Sequence, residues 1–457
     1  NKQMKTIICG AGDVGYSIAD KLSNENFEVT VIDESYEKLS KVSENLDVKT
    51  VQGIPSLPSV LLDAGAKDCE ILIAVTRSDE TNMVTCQIGH SLFNIPKKIA
   101  RIRQQDYLKD EWQDLYNNSN FPIDAIISPE QEVAKSLYRR LISPGTIDML
   151  ELSEKKLKLV GLKCEDNFIH SGLTVRELSE KFPNYLANIM FIFRNEKKFT
   201  VNSSTKIEKN DSIFLVVENE NLSDVLKEFG HEEIQAKKAV IIGGGNIGFS
   251  LAQLIEKSDT YINTSLIEND KERAEYLASQ LQNIIVTNGD GLDSQILEEV
   301  NIHDTGYFIA VTEDDEVNIL SSLLAKRAGA LISLTLINNS NYSSLLTNIG
   351  VDMTIDPKII TISKILEKVR GGKIRNDYSI GDGFGEVIEA DIQSDSSLCN
   401  KNLKELNLPK GIRIGSILRD KKVIIPNSET IFKENDDVVF FAETDCIKKL
   451  EKLLSKI

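Results

Sequence analysis

Gly10, Gly12 and Gly15 follow the apolar run Thr6–Cys9, and Asp33 stands eighteen residues past the last of them, closing a second apolar run at Val29–Ile32. Glycines at that spacing between a strand and a helix form a turn suited to phosphate. Gly10 allows the tight turn, Gly12 admits a pyrophosphate close to the backbone, and Gly15 lets the helix lie against the strand. Ala11, Asp13 and Val14 fill the remaining places, and the helix N-terminus behind them offers free N–H groups and a positive dipole end. A carboxylate at Asp33 can accept both hydroxyls of a ribose, and it would repel the 2′-phosphate that distinguishes NADP from NAD. The competing reading is a glycine turn and a solvated aspartate with no ligand.

Further residues are placed to reach the same crevice. Ile71–Val75 reads as a buried strand ending in Thr76-Arg77-Ser78-Asp79, and its carboxyl end should face the side on which open α/β sheets bind ligands. Ile99–Ile102 reads as the next strand and carries Arg101. That arginine either meets phosphate or makes a surface ion pair, and spacing alone does not choose between them.

The whole pattern occurs twice, about 235 residues apart, which marks a duplicated module of domain size. In the second copy Gly243, Gly245 and Gly248 keep the glycine spacing, with Gly244, Asn246 and Ile247 between them, and Glu268 replaces Asp33. ILIAVTRSDETNM (Ile71–Met83) is echoed by YFIAVTEDDEVNI (Tyr307–Ile319), so Thr312 matches Thr76 and Glu313 replaces Arg77. Arg101 falls near Leu336, which leaves the second crevice without its candidate phosphate cation. The two sites are therefore expected to differ in ligand preference.

Short apolar runs joined by helical stretches must place these residues along one edge of a parallel sheet. Ser128-Pro129-Glu130 and Asp356-Pro357 each start a further helix, with apolar faces at Val133, Leu137, Leu141 and at Ile359, Ile362, Leu366. Such faces on a lone domain favour an oligomer. After each nucleotide module comes a β-rich segment, in which Asn210-Asp211 and Asn435-Asp436 turn into the runs Ile213–Val217 and Val438–Phe441. The expected fold is α/β: two Rossmann-like, doubly wound parallel-sheet domains at 1–143 and 236–370, each followed by a smaller α+β domain at 144–232 and 372–457. Linkers are expected near Ser143–Gly145, Gly230–Ala236 and Gly371–Gly385, with hinges at Pro144-Gly145 and Gly371-Gly372.

At 457 residues the chain is too long for one core, and its net charge of -17 argues against nucleic acid or anionic lipid as the main partner. Cys9, Cys69, Cys86, Cys164, Cys399 and Cys446 show no CxxC spacing and read as buried, reduced thiols. No apolar run approaches the roughly 18 residues that a membrane span needs, and no secretory signal is legible, so an intracellular protein is expected.

The order of these segments, with GAGDVG, VIDES, ILIAVTRSDETNMVTCQ, LFNIPKKIARIR and the Pro-Gly after the crossover helix, resembles the TrkA family over nearly the whole chain. These are the peripheral cytosolic subunits of bacterial Trk potassium uptake systems. The resemblance implies tandem RCK (KTN) domains, each with a TrkA-N and a TrkA-C part, and a regulatory role without catalysis. It implies a membrane-embedded potassium-translocating partner, a cytoplasmic location at the inner face of the cell membrane, and a homo-oligomer, a tetramer. Its ligands would be NAD or NADH, and in some members ATP or ADP. Carried onto this sequence, the first-site contacts are Gly10 to Val14, Asp33, Thr76, Arg77 and Arg101; the second-site contacts are Gly243 to Ile247, Glu268 and Thr312.

Two rival readings remain. An NAD-dependent dehydrogenase is the commonest use of this fingerprint, but His90, His170, His231 and His303 occupy no recognisable acid/base setting. A sensor of metal ions or second messengers would need a site in the small modules that nothing in their spacing specifies.

Overall fold

The computed structural model describes the chain apart from residues 1–3, 26, 143–145, 147, 154, 166–167, 183–186, 195–196, 232–237, 259–260, 340–341, 343–345, 347–348, 370–373, 381–383 and 455–457. The hinges at Pro144-Gly145 and Gly371-Gly372 and most of the first two linkers lie outside the described residues, whereas much of the third, expected over Gly371–Gly385, is not a linker: Ile374–Ile380 form a strand paired with Gly385–Ala390.

The first nucleotide module contains β1 (Met4–Cys9), α1 (Asp13–Asn24), β2 (Phe27–Asp33), α2 (Tyr36–Asn45), β3 (Lys49–Gln52), α3 (Pro58–Asp63), β4 (Ile71–Ala74), α4 (Asp79–Phe93), β5 (Lys97–Arg101), β6 (Ala125–Ile127) and α5 (Pro129–Leu141). The first small module contains β7 (Asp148–Leu152), β8 (Leu157–Lys163), α6 (Val175–Lys181), β9 (Ala187–Arg194), β10 (Lys197–Thr200), β11 (Ser212–Glu218) and α7 (Leu222–Glu228). The second nucleotide module follows with β12 (Lys238–Ile242), α8 (Asn246–Glu256), β13 (Asn263–Glu268), α9 (Lys271–Gln280), β14 (Ile285–Asn288), α10 (Ser294–Glu299), β15 (Tyr307–Ala310), α11 (Asp315–Ala328), β16 (Ile332–Leu336), β17 (Met353–Ile355) and α12 (Pro357–Val369). The second small module contains β18 (Ile374–Ile380), β19 (Gly385–Asp391), β20 (Ile412–Arg419), β21 (Lys422–Ile424), β22 (Asp437–Glu443) and α13 (Ile447–Leu454).

Two compact units result, and they interleave along the chain: residues 1–138 with 237–369, and residues 139–236 with 370–457. In the first unit, each nucleotide module is a six-stranded parallel sheet, ordered β3-β2-β1-β4-β5-β6 and β14-β13-β12-β15-β16-β17. The order reverses at β1/β4 and at β12/β15, and each switch point opens a crevice at the carboxyl edge. Register confirms the repeat: Ala74 pairs with Ala100 and Ala310 with Thr335, so Arg101 and Leu336 are equivalent.

Within this unit α12 packs on α1 of the other module. Its Ile362, Ile365, Leu366 and Val369 share a core with Val14, Ile18, Ala19 and Leu22. On α5, Val133, Ala134 and Leu137 are buried, and the Tyr138 hydroxyl donates to Ser258 Oγ, just past α8, at 2.6 Å. Apart from Ile359, which is 45% exposed, the apolar helix faces that sequence reading assigns to an oligomer are thus covered inside the chain. Burial of each such side chain contributes about 1.5–3 kcal/mol, and a second copy of the module supplies what a partner chain would.

The second unit holds two antiparallel sheets of one topology, β10-β9-β11-β8-β7 and β18-β19-β22-β20-β21. Asn210 and Asn435 turn with φ of 69° and 65°, and the aspartates after them, Asp211 and Asp436, take bidentate bonds from Arg194 and Arg419 at 2.7–2.8 Å. A core shared by both sheets is built on Phe191, whose ring centroid lies 4.3 Å from that of Phe441 and 4.6 Å from that of Phe214.

Cys9, Cys69, Cys86 and Cys164 are buried, as expected, whereas Cys399 and Cys446 are half-buried. Burial pushes the thiols of Cys69, Cys86 and Cys164 up to about 12, and raises that of Cys9 well above its ordinary value. Only the thiolate alkylates readily. Iodoacetamide at neutral pH should therefore label Cys399 and Cys446 first in the folded chain, with the other four reacting only on unfolding. Mass spectrometry showing Cys9 labelled as fast as Cys446 would contradict this.

Candidate nucleotide sites

Each crevice is built from the end of its first strand outward. Gly10 turns the chain off β1 at φ +111°, where a Cβ would meet the Val75 and Thr76 backbone at about 3 Å, and Gly243 does the same at φ +100° against Val311 and Thr312. Only glycine fits both the angle and the space. A Cβ on Gly15 or Gly248 would fall within 2 Å of the Gly10 or Gly243 carbonyl oxygen, so the helices can lie that close only without one. Gly12 and Gly245, by contrast, face open space, the cradle a phosphate needs.

The acidic residues close the loop from β2 and β13. Asp33 Oδ2 accepts the Ala11 N–H at 2.7 Å and its Oδ1 the Ser35 N–H at 2.9 Å. Glu268 reproduces this with Gly244 at 2.7 Å and Asp270 at 2.8 Å. Each carboxylate oxygen has a further lone pair for a ribose hydroxyl. The longer glutamate therefore sets the loop as the aspartate does.

Arg101 lies at the carboxyl end of β5, half-buried, and donates through Nη2 to the Thr76 carbonyl at 2.9 Å. Its Nε is buried with no partner, and desolvation lowers its pKa. Among the described residues Arg101 makes no ion pair, and its guanidinium keeps a spare donor next to Thr76 at the carboxyl edge of the sheet. Arg77 is exposed on the same rim, and Glu313 is its exposed counterpart. Leu336 is buried where Arg101 stands, yet the second crevice has a cation of its own. Arg273 of α9 donates to the Gly244 carbonyl at 2.8 Å, and its guanidinium lies 5.6 and 5.1 Å from the Phe249 and Tyr276 ring centroids. The counterpart of Arg101 is absent, as counted from the sequence, and Arg273, which the sequence did not single out, brings a cation to the second loop from another direction.

Sequence reading also missed the residues that fix the turn after β4 and β15. Asn82 is fully buried; its Oδ1 accepts from the Thr76 N–H (2.9 Å) and hydroxyl (2.7 Å), and its Nδ2 donates to the Thr76 and Arg101 carbonyls. Asn318 makes the same bonds to Thr312 and Leu336. Asp79 and Asp315 accept backbone N–H groups of Arg103 and Gln104, and of Asn338 and Asn339. The signal was present: all four lie at matching positions of the two TxxDxxN segments.

Comparison with known proteins bears on this geometry. The TrkA-N domain family model matches residues 6–129 and 239–357, and the TrkA-C domain model matches residues 387–455. The Trk system potassium uptake protein TrkA of Azorhizobium caulinodans is 41% identical over 450 residues, covering 98% of both chains. The chain belongs to the TrkA family. The TrkA of Haemophilus influenzae is 37% identical over 454 residues, again with 98% of each chain covered. Among solved structures, the GsuK RCK domain aligns with a TM-score of 0.62 at 18% identity, over 99% of this chain and 95% of that one. The GsuK channel bound to NAD gives the same score and identity, over 99% of this chain and 79% of that one. At that identity the likeness shows the fold, tandem RCK domains. Among the described residues of this TrkA-family chain, no helix is long and apolar enough to cross a membrane.

Proposed function

We propose that this chain is the nucleotide-sensing regulatory subunit of a Trk-type potassium uptake system, without catalytic activity of its own. It binds NAD or NADH at the first crevice, through Gly10, Ala11, Gly12, Asp13, Val14, Asp33, Thr76, Arg77 and Arg101. A second nucleotide, with ATP and ADP among the candidates, is taken by Gly243, Gly244, Gly245, Asn246, Ile247, Glu268 and Thr312. The observation that carries this reading is the carboxylate locked onto the glycine loop in both modules beside an open cradle. The names of the TrkA relatives and the NAD of the GsuK channel structure support it. The partner is a membrane-embedded potassium-translocating subunit, at the inner face of the cell membrane, beneath which the chain assembles as a tetramer.

In this reading the α1 N-terminus and Arg101 hold the pyrophosphate, Asp33 orients the ribose, and Asn82 keeps Thr76 in place. Ligand can then bias the partner only by binding two arrangements of the modules unequally, typically by about 1–3 kcal/mol. A dehydrogenase would need an acid/base group at the crevice, and the histidines offer none: His170 is packed between Phe168 and Phe182 in the small module, bonded to Glu228.

Reconstitution tests the proposal. The chain and its Trk-type translocating subunit, in vesicles, should show rubidium flux that changes with NADH while nicotinamide absorbance stays constant. Flux indifferent to the chain, or steady consumption of NADH, would overturn it.

A further inference from the structure

The second residue of α12 reaches into the other module. Lys358 Nζ lies 2.7 Å from Asp13 Oδ2, at the first position of α1, inside the first glycine loop. Both side chains are open to water, 42% and 71% exposed, so as a structural tie the pair contributes little. Its position is the informative part. Asp13 follows Gly12, beside the open cradle and at the positive end of α1, where a phosphate would lie. The Lys358 bond, with the nearby charges of Lys41 and Arg77, holds the Asp13 carboxyl below the usual carboxylate range. Lys358 thus bonds this carboxylate at the place where the anionic part of a ligand is due.

We propose that Lys358 is a phosphate ligand of the first crevice supplied by the second module, released from Asp13 when the pyrophosphate arrives. This rests on the reading that the first crevice takes a nucleotide. A pyrophosphate carries more charge than one carboxylate and offers more acceptors, so it outcompetes Asp13 for the ammonium group. Bound nucleotide is then held by both modules, and its affinity depends on how α12 sits on α1.

The converse position is different. Glu130 occupies in α5 the place that Lys358 has in α12; it is buried and bonds Arg103 at 2.9 Å. Asn246 stands where Asp13 does. Two identical chains meeting about a twofold axis would carry the same residue at both positions. The tandem chain carries a lysine at one and a glutamate at the other, so this helix position offers a cation to the first crevice alone.

The test uses the full chain with the second site disabled by Glu268→Ala, titrated with NADH by fluorescence and with adenosine by calorimetry. Lys358→Ala should weaken NADH about three- to tenfold, the range of one charge-assisted bond discounted for exposure, and leave adenosine, which has no phosphate, unchanged. Lys358→Arg should restore most of the loss. Asp13→Asn removes both the competitor and a negative charge beside the phosphate, so it should tighten NADH, and by more when Lys358 is present than when it is alanine. Equal NADH affinity with and without Lys358, or equal losses for NADH and adenosine, would overturn the assignment while leaving the functional reading intact. A chain in which neither Asp33→Ala nor Lys358→Ala alters NADH binding would overturn both.

Discussion

Asp33→Ala is expected to weaken NADH binding at the first crevice by about tenfold or more, since each charge-assisted bond to a ribose hydroxyl contributes about 1.5–3 kcal/mol and 1.4 kcal/mol is a factor of ten. The loss has two parts. Alanine removes the ribose acceptor, and it also frees the N–H groups of Ala11 and Ser35, so the glycine loop loses the anchor that shapes its cradle. Asp33→Asn keeps one anchoring oxygen without the charge and should lose less. NADPH should bind the unmodified chain more weakly than NADH, because its 2′-phosphate meets this carboxylate. Lys38, 3.9 Å away and well hydrated, offsets only part of that repulsion. Titrations giving equal affinities for NADH and NADPH would refute the assignment of Asp33.

The largest expected effect on stability lies in the second unit, at Arg413. Its Nε donates to the Ile189 carbonyl at 2.7 Å, Nη1 to the Val201 carbonyl at 3.2 Å and Nη2 to Asn188 Oδ1 at 3.0 Å, all on the opposite small module. Burial lowers its pKa to about 10, so it remains charged at neutral pH. Two effects compete in Arg413→Met. Relief of a desolvated charge favours the variant. Three acceptors left without donors oppose it, at about 1–3 kcal/mol each, and prevail. A net loss of about 2–4 kcal/mol is expected, read as an earlier urea transition. An unchanged midpoint would mean that water replaces the guanidinium at no cost.

Much of the first crevice was legible because its chemistry is local. A strand, three glycines and a carboxylate after the next strand occupy one short stretch, and the same stretch recurs at Gly243 and Glu268. The equivalence of Arg101 and Leu336 followed from counting alone. What escaped depends on three-dimensional closure. Arg273 reaches the second loop from α9, and nothing in its neighbourhood marks an arginine as pointing back to Gly244. Asn82 and Asn318 act through backbone groups of the turn before their own helix and of the neighbouring strand, which spacing does not reveal. The faces of α5 and α12 read correctly as apolar, but a periodic pattern specifies that a face is covered and is silent on what covers it. An oligomer and a second module of the same chain satisfy the pattern equally.

The interleaving of the first unit has a consequence for how the protein is made. Asp13 and Lys358 are 345 positions apart, and Ile362, Ile365, Leu366 and Val369 complete a core that Val14, Ile18 and Leu22 begin. At a translation rate of about 5–20 residues per second, α1 emerges roughly 17–70 s before the helix that covers it. Throughout that interval the core around α1 has its own sheet and α2 but lacks the four side chains that α12 contributes. Neighbouring nascent chains on one message offer the same α12 to each other's α1.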